Sequence, residues 1–365
     1  MEILRFSMND PADYGLPRME IPKKCWRNGL VVRMPNHLGD AVMALPALIS
    51  LSRLLPENCG LFVVAPEMFR SFYAASPQVG LFLGLEKAHA NWSWREIKEL
   101  KRIRAGVGVF FNNSPRDVIA MRLAGVGKLY GAAARGRSIL LSHGFKLQRQ
   151  QIPGVRAEEH LCSRYLAIAM ALGAPAWDRS LPEFSFSRFG SEAKEWIGAW
   201  CEHPKMLLLG PGAAYGDAKC YDSSNYNTIA SWWIDRGGVV VVAGGKSEIE
   251  TGAAVCAGLP AEKCVNMCGK TDLQELMLLI RFSRFMICND SGIMHLGAAL
   301  NKEGIAVFGS TDPTATGPIS NSWQCISDRM ACSPCFRHVC PAGHKECMKR
   351  VNVEVIIDEL QRKGF

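Results

Sequence analysis

Residues 285–318 read FMICNDSGIMHLGAALNKEGIAVFGSTDPTATGP, and their pattern decides the fold class. Phe285–Cys288 is an apolar run that stops abruptly at Asn289-Asp290-Ser291-Gly292. Apolar periodicity resumes from Ile293 to Leu300, and a second apolar run, Ile305–Phe308, ends at Gly309-Ser310-Thr311-Asp312-Pro313. Strand, polar loop, short helix, strand, polar loop is the grammar of a parallel α/β unit. In an open parallel sheet, ligands gather where strands end and helices begin. Two adjacent strand ends here carry small, polar, anion-tolerant residues, which points to a phosphate-bearing ligand.

The same alternation extends outward from this stretch. Upstream, Leu30–Met34, Leu61–Ala65, Val79–Leu83 and Val107–Phe111 read as strands, with weaker strand signals at Leu129–Gly131 and Ile139–Leu141. Ala41–Leu54, Glu67–Ala75, Ser93–Arg104, Arg116–Leu123 and Glu158–Leu172 read as helices, the last stopped by Gly173 and Pro175. Residues 175–190 lack a period and read as a linker. A second series follows, with strands at Met206–Leu209, Val239–Ala243 and Lys263–Asn266. Its helices are Glu192–Cys201, Asn225–Arg236, Glu248–Ala257, Leu273–Ser283 and, at the end, Val353–Gln361. The expected class is α/β with two doubly wound parallel sheets. An irregular arm spans 1–28, one Rossmann-like domain 29–185, and a second 186–365, the last with a cysteine-rich tail and a terminal helix.

A length of 365 residues suits about two domains, and 48% hydrophobic residues suffice for sizeable cores. The 42 Lys+Arg against 34 Asp+Glu leave a formal charge of +8, read here as mild and spread along the chain. That balance fits an anionic ligand or membrane surface and does not form a nucleic-acid stripe. No apolar run reaches the roughly 18 residues of a membrane span. The N-terminus lacks the apolar core of a secretory signal, so the 14 cysteines are expected to be reduced cytosolic thiols.

Three loops carry candidate chemistry. In Pro35-Asn36-His37-Leu38-Gly39-Asp40, Gly39 admits close backbone approach and Asp40 is either a helix N-cap or a general base. His37 is equally a surface residue or a substrate contact. In PGAAYGDAK, Gly212 and its neighbouring glycines expose backbone N–H groups and Lys219 adds a point charge, which suits a diphosphate or simply makes a glycine-rich turn. At Asp290-Ser291-Gly292 a helix begins, and its N-terminal dipole favours an anion, with His295 one turn further on. Glu248 follows Gly244-Gly245 and is either a ribose ligand or a first-turn glutamate. Neither GxxxxGK[ST] nor a GxGxxG after the first strand is present, which disfavours a nicotinamide-dependent enzyme. Cys332, Cys335, Cys340 and Cys347 lie close together with His338 and His344. They lack a second C-x2-C pair, which favours free thiols or a redox-sensitive loop over a structural zinc site.

PNHLGDAVMALPAL, PGAAYGDAK, NDSGIMHLGAAL and FGSTDPTATGP, in this order, resemble the family 9 glycosyltransferases, the ADP-heptose:lipopolysaccharide heptosyltransferases. The tail CSPCFRHVCPAGHKEC resembles most the heptosyltransferase II branch, which adds the second inner-core heptose. The resemblance runs from about Leu30 to the C-terminus. It implies a GT-B fold, two Rossmann-like domains facing across a cleft, with the acceptor mainly on the first and the nucleotide sugar mainly on the second. It implies inverting transfer of heptose from ADP-heptose to the lipopolysaccharide inner core, with no cofactor required and no metal at the active site. The reduced cysteines suit a cytoplasmic enzyme, and the positive balance suits peripheral work at the inner membrane, where the lipid A-core acceptor is phosphorylated. The family's general base falls on Asp40, with His37 and Gly39 on the acceptor side. Its phosphate-binding lysine falls on Lys219 and its sugar-contacting acid on Asp290. Ser291, Gly292 and His295 lie beside the diphosphate, and Gly212 and Thr311 also belong to the donor side. The ribose-binding glutamate falls on Glu248, with Glu250 the alternative.

Where the family has Arg-Trp-Pro after the lysine, this chain has Cys220-Tyr221-Asp222, and the arm before Leu30 is longer than the family norm. The loss of an arginine near the diphosphate keeps open a different sugar donor or acceptor. A non-catalytic nucleotide-sugar-binding protein is the alternative of another class, and the presence of both Asp40 and Lys219 argues against it. Oligomeric state is not legible in the sequence.

Overall fold

A strand covered by helices on both faces must be apolar at almost every position, and the strands here obey that rule. The computed structural model describes residues 1–147, 159–188, 202–213 and 216–365. The helix expected over 192–201 lies outside the described residues. The chain divides into two compact units, Met8–Arg188 and a second made of Met1–Ser7 with Phe189–Phe365.

The chain opens on β1 (Glu2–Leu4), where an irregular arm was expected. β1 belongs to the second unit, and its description follows below. The first unit is built on β2 (Gly29–Arg33), β3 (Gly60–Pro66), β4 (Leu81–Leu85), β5 (Val107–Phe110), β6 (Lys128–Ala132) and β7 (His143–Phe145). These run parallel in the order β4-β3-β2-β5-β6-β7. β2 and β5 are fully buried at every position. The segment 139–141, expected as a strand, is instead part of the 3-10 turn Arg137–Leu140, and the strand lies two residues later at β7. The single helix expected over 41–54 is two helices, Leu38–Met43 and Leu45–Ser52. Pro46 sits at the start of the second, where its missing N–H and fixed φ are tolerated, whereas a helix interior would not accept it. Ser93 caps the helix Trp94–Ile103 through a reciprocal box with Glu96.

In the second unit the strands are β8 (Met206–Gly210), β9 (Val239–Val242), β10 (Cys264–Asn266), β11 (Phe285–Asn289), β12 (Gly304–Phe308) and β13 (Trp323–Ser327). Their order is β1-β13-β12-β11-β8-β9-β10, parallel throughout except for β1, which pairs antiparallel with β13 at Ile3–Ile326. β13 and β1 complete the sheet without having been expected. Glu2–Leu4 is too short to show a period, and in Trp323–Ser327 the adjacent Cys325 and Ile326 break the alternation within an irregular stretch. β8 and β12 flank β11 in register, Gly210 beside Cys288 and Val307 beside Asn289. Their loops therefore leave the sheet at one edge, side by side.

One ion pair in the first unit has no access to water. Arg33, at the end of β2, and Asp117, in the helix Pro115–Leu123, are 0% and 1% exposed and meet at 2.7 Å. Burial pulls the Arg33 pKa down, and the Asp117 carboxylate opposes that pull. Asp117 also accepts from Trp92 Nε1 at 3.0 Å and from Asn112 Nδ2. Removing one member of such a pair strands the other as a buried charge. Asp117→Ala is expected to lower unfolding free energy by about 3–5 kcal/mol, read by chemical denaturation. A change of less than about 1 kcal/mol would show the pair to be dispensable.

Candidate functional site

The loops after β8, β11 and β12 are joined by one buried amide. Asn289, the last residue of β11, is 0% exposed. Its Nδ2 donates to the carbonyl oxygens of Pro211 and Gly212, and its Oδ1 accepts from Tyr221 N at 3.2 Å and Tyr226 Oη at 2.9 Å. These bonds use the full donor and acceptor capacity of the side chain. Burial pushes the phenols of Tyr221 and Tyr226 up, so both remain O–H donors. Tyr221 Oη in turn donates to Val351 O at 2.6 Å. The loop 211–221 is thereby held at both ends against the tip of β11.

Asp290, 3% exposed, is the hub of the site. Its Oδ2 accepts from Lys219 Nζ at 2.6 Å, Thr311 Oγ1 at 2.7 Å and Thr316 Oγ1 at 3.3 Å. His295 Nε2 lies 3.9 Å from Oδ1. Asp290, Lys219, Thr311 and His295, distant in sequence, are thus one cluster. A buried carboxylate is tolerated only when charge and hydrogen bonds compensate it, and this one has a lysine and two hydroxyls. Ser291 occupies the N-cap position of the helix Gly292–Ala299, yet its hydroxyl makes no capping bond. Ser291 Oγ and Ser310 Oγ are both buried without a hydrogen-bond partner. Unsatisfied hydroxyls beside free helix N–H groups and a lysine suit an anion that accepts from all of them.

Glu248 faces the same loops. A Cβ added to Gly212 would stand 2.1 Å from the Glu248 carboxyl, so only glycine admits that close approach. Glu248 also accepts from Gly245 N. Glu250 is exposed in the first turn of the helix Ile249–Cys256 and does not join this group. The cysteine-rich tail braces the cluster from outside. Cys335 N and Phe336 N donate to Ser310 O at 3.0 and 2.7 Å, Ala218 N donates to His338 O at 3.2 Å, and Lys345 pairs with Asp217 at 2.8 Å. Cys332, Cys335, Cys340 and Cys347 are free thiols lining a cavity of about 100 Å³ with Ala218 and Ser310. Among the described residues, no three His, Cys, Asp or Glu side chains are arranged to hold a metal ion.

In the other unit the loop Pro35–Asp40 follows β2. Arg33 anchors it from below, donating to Met34 O at 2.6 Å and Asn36 Oδ1 at 2.6 Å, while Asn36 donates to Ala88 O at 3.1 Å. The N-cap of the helix Leu38–Met43 is His37, which is exposed and has its ring 5.9 Å from that of His89. Asp40 is therefore not the N-cap. It lies in the first turn, half-buried, beside Gly39. Burial first and the Asp40 carboxylate second push the Tyr165 phenol well up, which places Tyr165 near that carboxylate.

The sequence pattern of glycosyltransferase family 9 (heptosyltransferase) matches residues 94–346. The chain belongs to this family. Lipooligosaccharide heptosyltransferase 2 of Campylobacter jejuni subsp. jejuni serotype O:6 is 26% identical over 347 residues, covering 91% of this chain and 98% of that one. Lipopolysaccharide heptosyltransferase 2 of Escherichia coli K12 is 26% identical over 311 residues, covering 81% and 87%. The solved structure of E. coli ADP-heptose LPS heptosyltransferase II superposes with a TM-score of 0.74 at 23% identity, covering 91% of this chain and 97% of that one. The fold of this family 9 glycosyltransferase is accordingly GT-B, as the motif resemblance implies.

Two features of the transferase were not anticipated. Asn289 stands in the Asn-Asp-Ser-Gly motif, and the sequence does not show that it is buried and bonded to the loop after β8. Thr316 lies five residues beyond Thr311, and nothing in the sequence shows that both reach Asp290. The departure Cys220-Tyr221-Asp222 also acquires a structural reason. Tyr221 is 1% exposed and packs edge-on against Tyr226 at 5.7 Å, so the middle residue of the tripeptide anchors the Lys219 loop inward while Asp222 stays exposed. Asn289→Ala would leave the Tyr226 hydroxyl and two carbonyls unpaired. The expected loss is at least about 2 kcal/mol of stability by urea unfolding, and an unchanged midpoint would contradict the clamp.

Proposed function

We propose that this enzyme transfers a heptose from ADP-heptose to the inner core of lipopolysaccharide, by single displacement with inversion. The observation that carries the reading is the Lys219–Asp290–Thr311 cluster at the paired ends of β11 and β12. It is supported by membership of family 9 and by relatives named heptosyltransferase 2 that span nearly the whole chain.

The acceptor hydroxyl must lose a proton, the anomeric carbon passes through an oxocarbenium-like state, and the leaving diphosphate gains charge. Asp40 serves as the base, with His37 and Gly39 on the acceptor side. Lys219 and the N–H groups at Ser291-Gly292 take the growing charge on ADP, an electrostatic contribution that is commonly the largest in such reactions. Gly212 belongs to the donor side, where its missing side chain makes room for the Glu248 carboxyl, and Glu248 holds ribose hydroxyls. Asp290 holds donor sugar hydroxyls through its second oxygen while Lys219 and Thr311 occupy the first. His295 stands beside the diphosphate. Lysine and amides supply the positive charge, so the scheme requires no divalent metal, and chelation is expected to leave turnover intact. The acceptor is a phosphorylated lipid, so the enzyme works as a peripheral protein at the cytoplasmic face of the inner membrane. No helix among the described residues is long and apolar enough to cross a membrane.

A panel of ADP-heptose against UDP- and GDP-sugars, followed by transfer to a lipopolysaccharide-core acceptor, tests the substrates. Preference for UDP or GDP would reject the donor assignment. Asp40→Asn is expected to lower turnover by roughly 10²–10⁴-fold with donor affinity unchanged, and normal turnover would remove Asp40 from the mechanism. Lys219→Ala is expected to weaken ADP binding by roughly 10–100-fold, the worth of one charge-assisted hydrogen bond. An unchanged dissociation constant would end its phosphate role.

A further inference from the structure

The positive charge of this chain is not spread along it, which corrects the reading made from the totals. Residues 98–147 hold ten basic residues against two acids, the whole of the +8 excess. Both acids are already engaged, Asp117 with Arg33 inside the unit and Glu99 with Arg95 at 3.2 Å. The helices Trp94–Ile103 and Pro115–Leu123 pack on one core, with Ile97, Leu100, Val118 and Met121 in a single cluster. Their opposite faces are therefore turned outward together. Nearly all of the basic residues in the segment are exposed, and Arg137 is the buried exception.

Apolar side chains project from the middle of this basic face. Ile119 and Leu123 are 47% and 52% exposed and lie one turn apart on one side of the helix Pro115–Leu123. Ile139, in the 3-10 turn Arg137–Leu140, is 91% exposed. Arg122 ties the two elements together, donating from Nε and Nη2 to Leu140 O at 3.2 and 3.1 Å and from Nη2 to Ser142 Oγ at 3.2 Å. The isoleucine turn is thus fixed beside the helix. Folding leaves about half of Ile119 and Leu123 and nearly all of Ile139 in water, where aliphatic surface is unfavourable.

We infer that this face of the first unit is the surface by which the enzyme docks on an anionic lipid bilayer, with Ile119, Leu123 and Ile139 entering the interface and the surrounding basic residues meeting lipid phosphates. The inference rests on the proposed peripheral attachment and names the surface responsible. Charge complementarity selects the occupant, because basic residues around inserted aliphatic side chains are the composition of interfacial binding. A single-stranded nucleic acid is held by aromatic side chains that stack on its bases, and the side chains at the centre of this face, Ile119, Leu123 and Ile139, are aliphatic.

The full chain is incubated with vesicles of phosphatidylethanolamine and phosphatidylglycerol, or of phosphatidylcholine alone, and bound protein is read by flotation. Binding is expected to the anionic vesicles only and to weaken with salt. Arg116→Glu with Arg135→Glu is expected to weaken partitioning by at least roughly 30-fold. Ile119→Asn, Leu123→Asn and Ile139→Asn together are expected to weaken it by roughly 100-fold or more, with the thermal midpoint unchanged. Lys205→Glu with Lys263→Glu, an equal charge change at exposed positions of the second unit, should leave binding as it is. Equal loss in that control, retained binding in the patch variants, or no wild-type binding to anionic vesicles would each overturn the assignment. A dimer in solution that the triple variant dissociates, without vesicle binding, would assign the face to a second copy instead. Transfer from ADP-heptose to a deacylated, soluble core oligosaccharide is measured on every variant and is expected to be unchanged. Failure of the wild type in that assay would reject the transfer reaction independently of where the protein docks.

Discussion

A buried asparagine at the end of a parallel strand has to find four hydrogen bonds or weaken the fold, and Asn289 finds them in the loop that leaves the neighbouring strand β8 and in the helix that follows it. That requirement aligns everything else in the second unit. With Pro211, Gly212 and Tyr221 tied to the tip of β11, Lys219 has little freedom, and its ammonium reaches the next residue along, Asp290, at 2.6 Å. Thr311, in the loop after β12, and Thr316, at the end of the short helix Pro313–Thr316 that follows, reach Asp290 because β12 is in register with β11. The tail then closes over the outside through two N–H bonds to Ser310 O.

The first unit solves a similar problem with charge instead of an amide. Arg33 ends β2 with no exposure, and its donors reach Asp117, Met34 O and Asn36. A guanidinium offers donors in a rigid planar fork, so a single buried Arg can fix both the following loop and the neighbouring helix. The loop that carries His37, Gly39 and Asp40 is the one so fixed. In both units, a buried polar residue at a strand terminus holds the loop that carries the candidate site residues. The cost of leaving such a group unpaired is what makes the loop geometry reproducible.

Surface and site obey different rules. At the site, charges are buried, matched and few. On the face carried by residues 98–147 the basic residues, Arg137 apart, are exposed and outnumber the acids ten to two. An excess of one sign repels itself and gives the fold nothing, so its accumulation around exposed isoleucines and a leucine makes sense only through what lies outside the molecule.

The sequence alone determined the class of fold, because apolar runs of strand length alternating with helical periods allow few other solutions. It also determined the family, because four ordered motifs converge on it, and the identity of the residues at each strand end. Tertiary structure decided which of those residues work together. Lys219 and Asp290 are 71 positions apart, and a strand register brings them to 2.6 Å. The role of His37 rather than Asp40 as helix N-cap depended on where the helix begins, and the break at Pro46 on which turn the proline meets. β1 joined the sheet because β13 offered an unpaired edge, a fact about the partner and not about Glu2–Leu4. Local pattern specifies elements. Pairing, register and burial specify their neighbours, since hydrogen bonds and desolvation act between groups that are close in space whatever their separation along the chain.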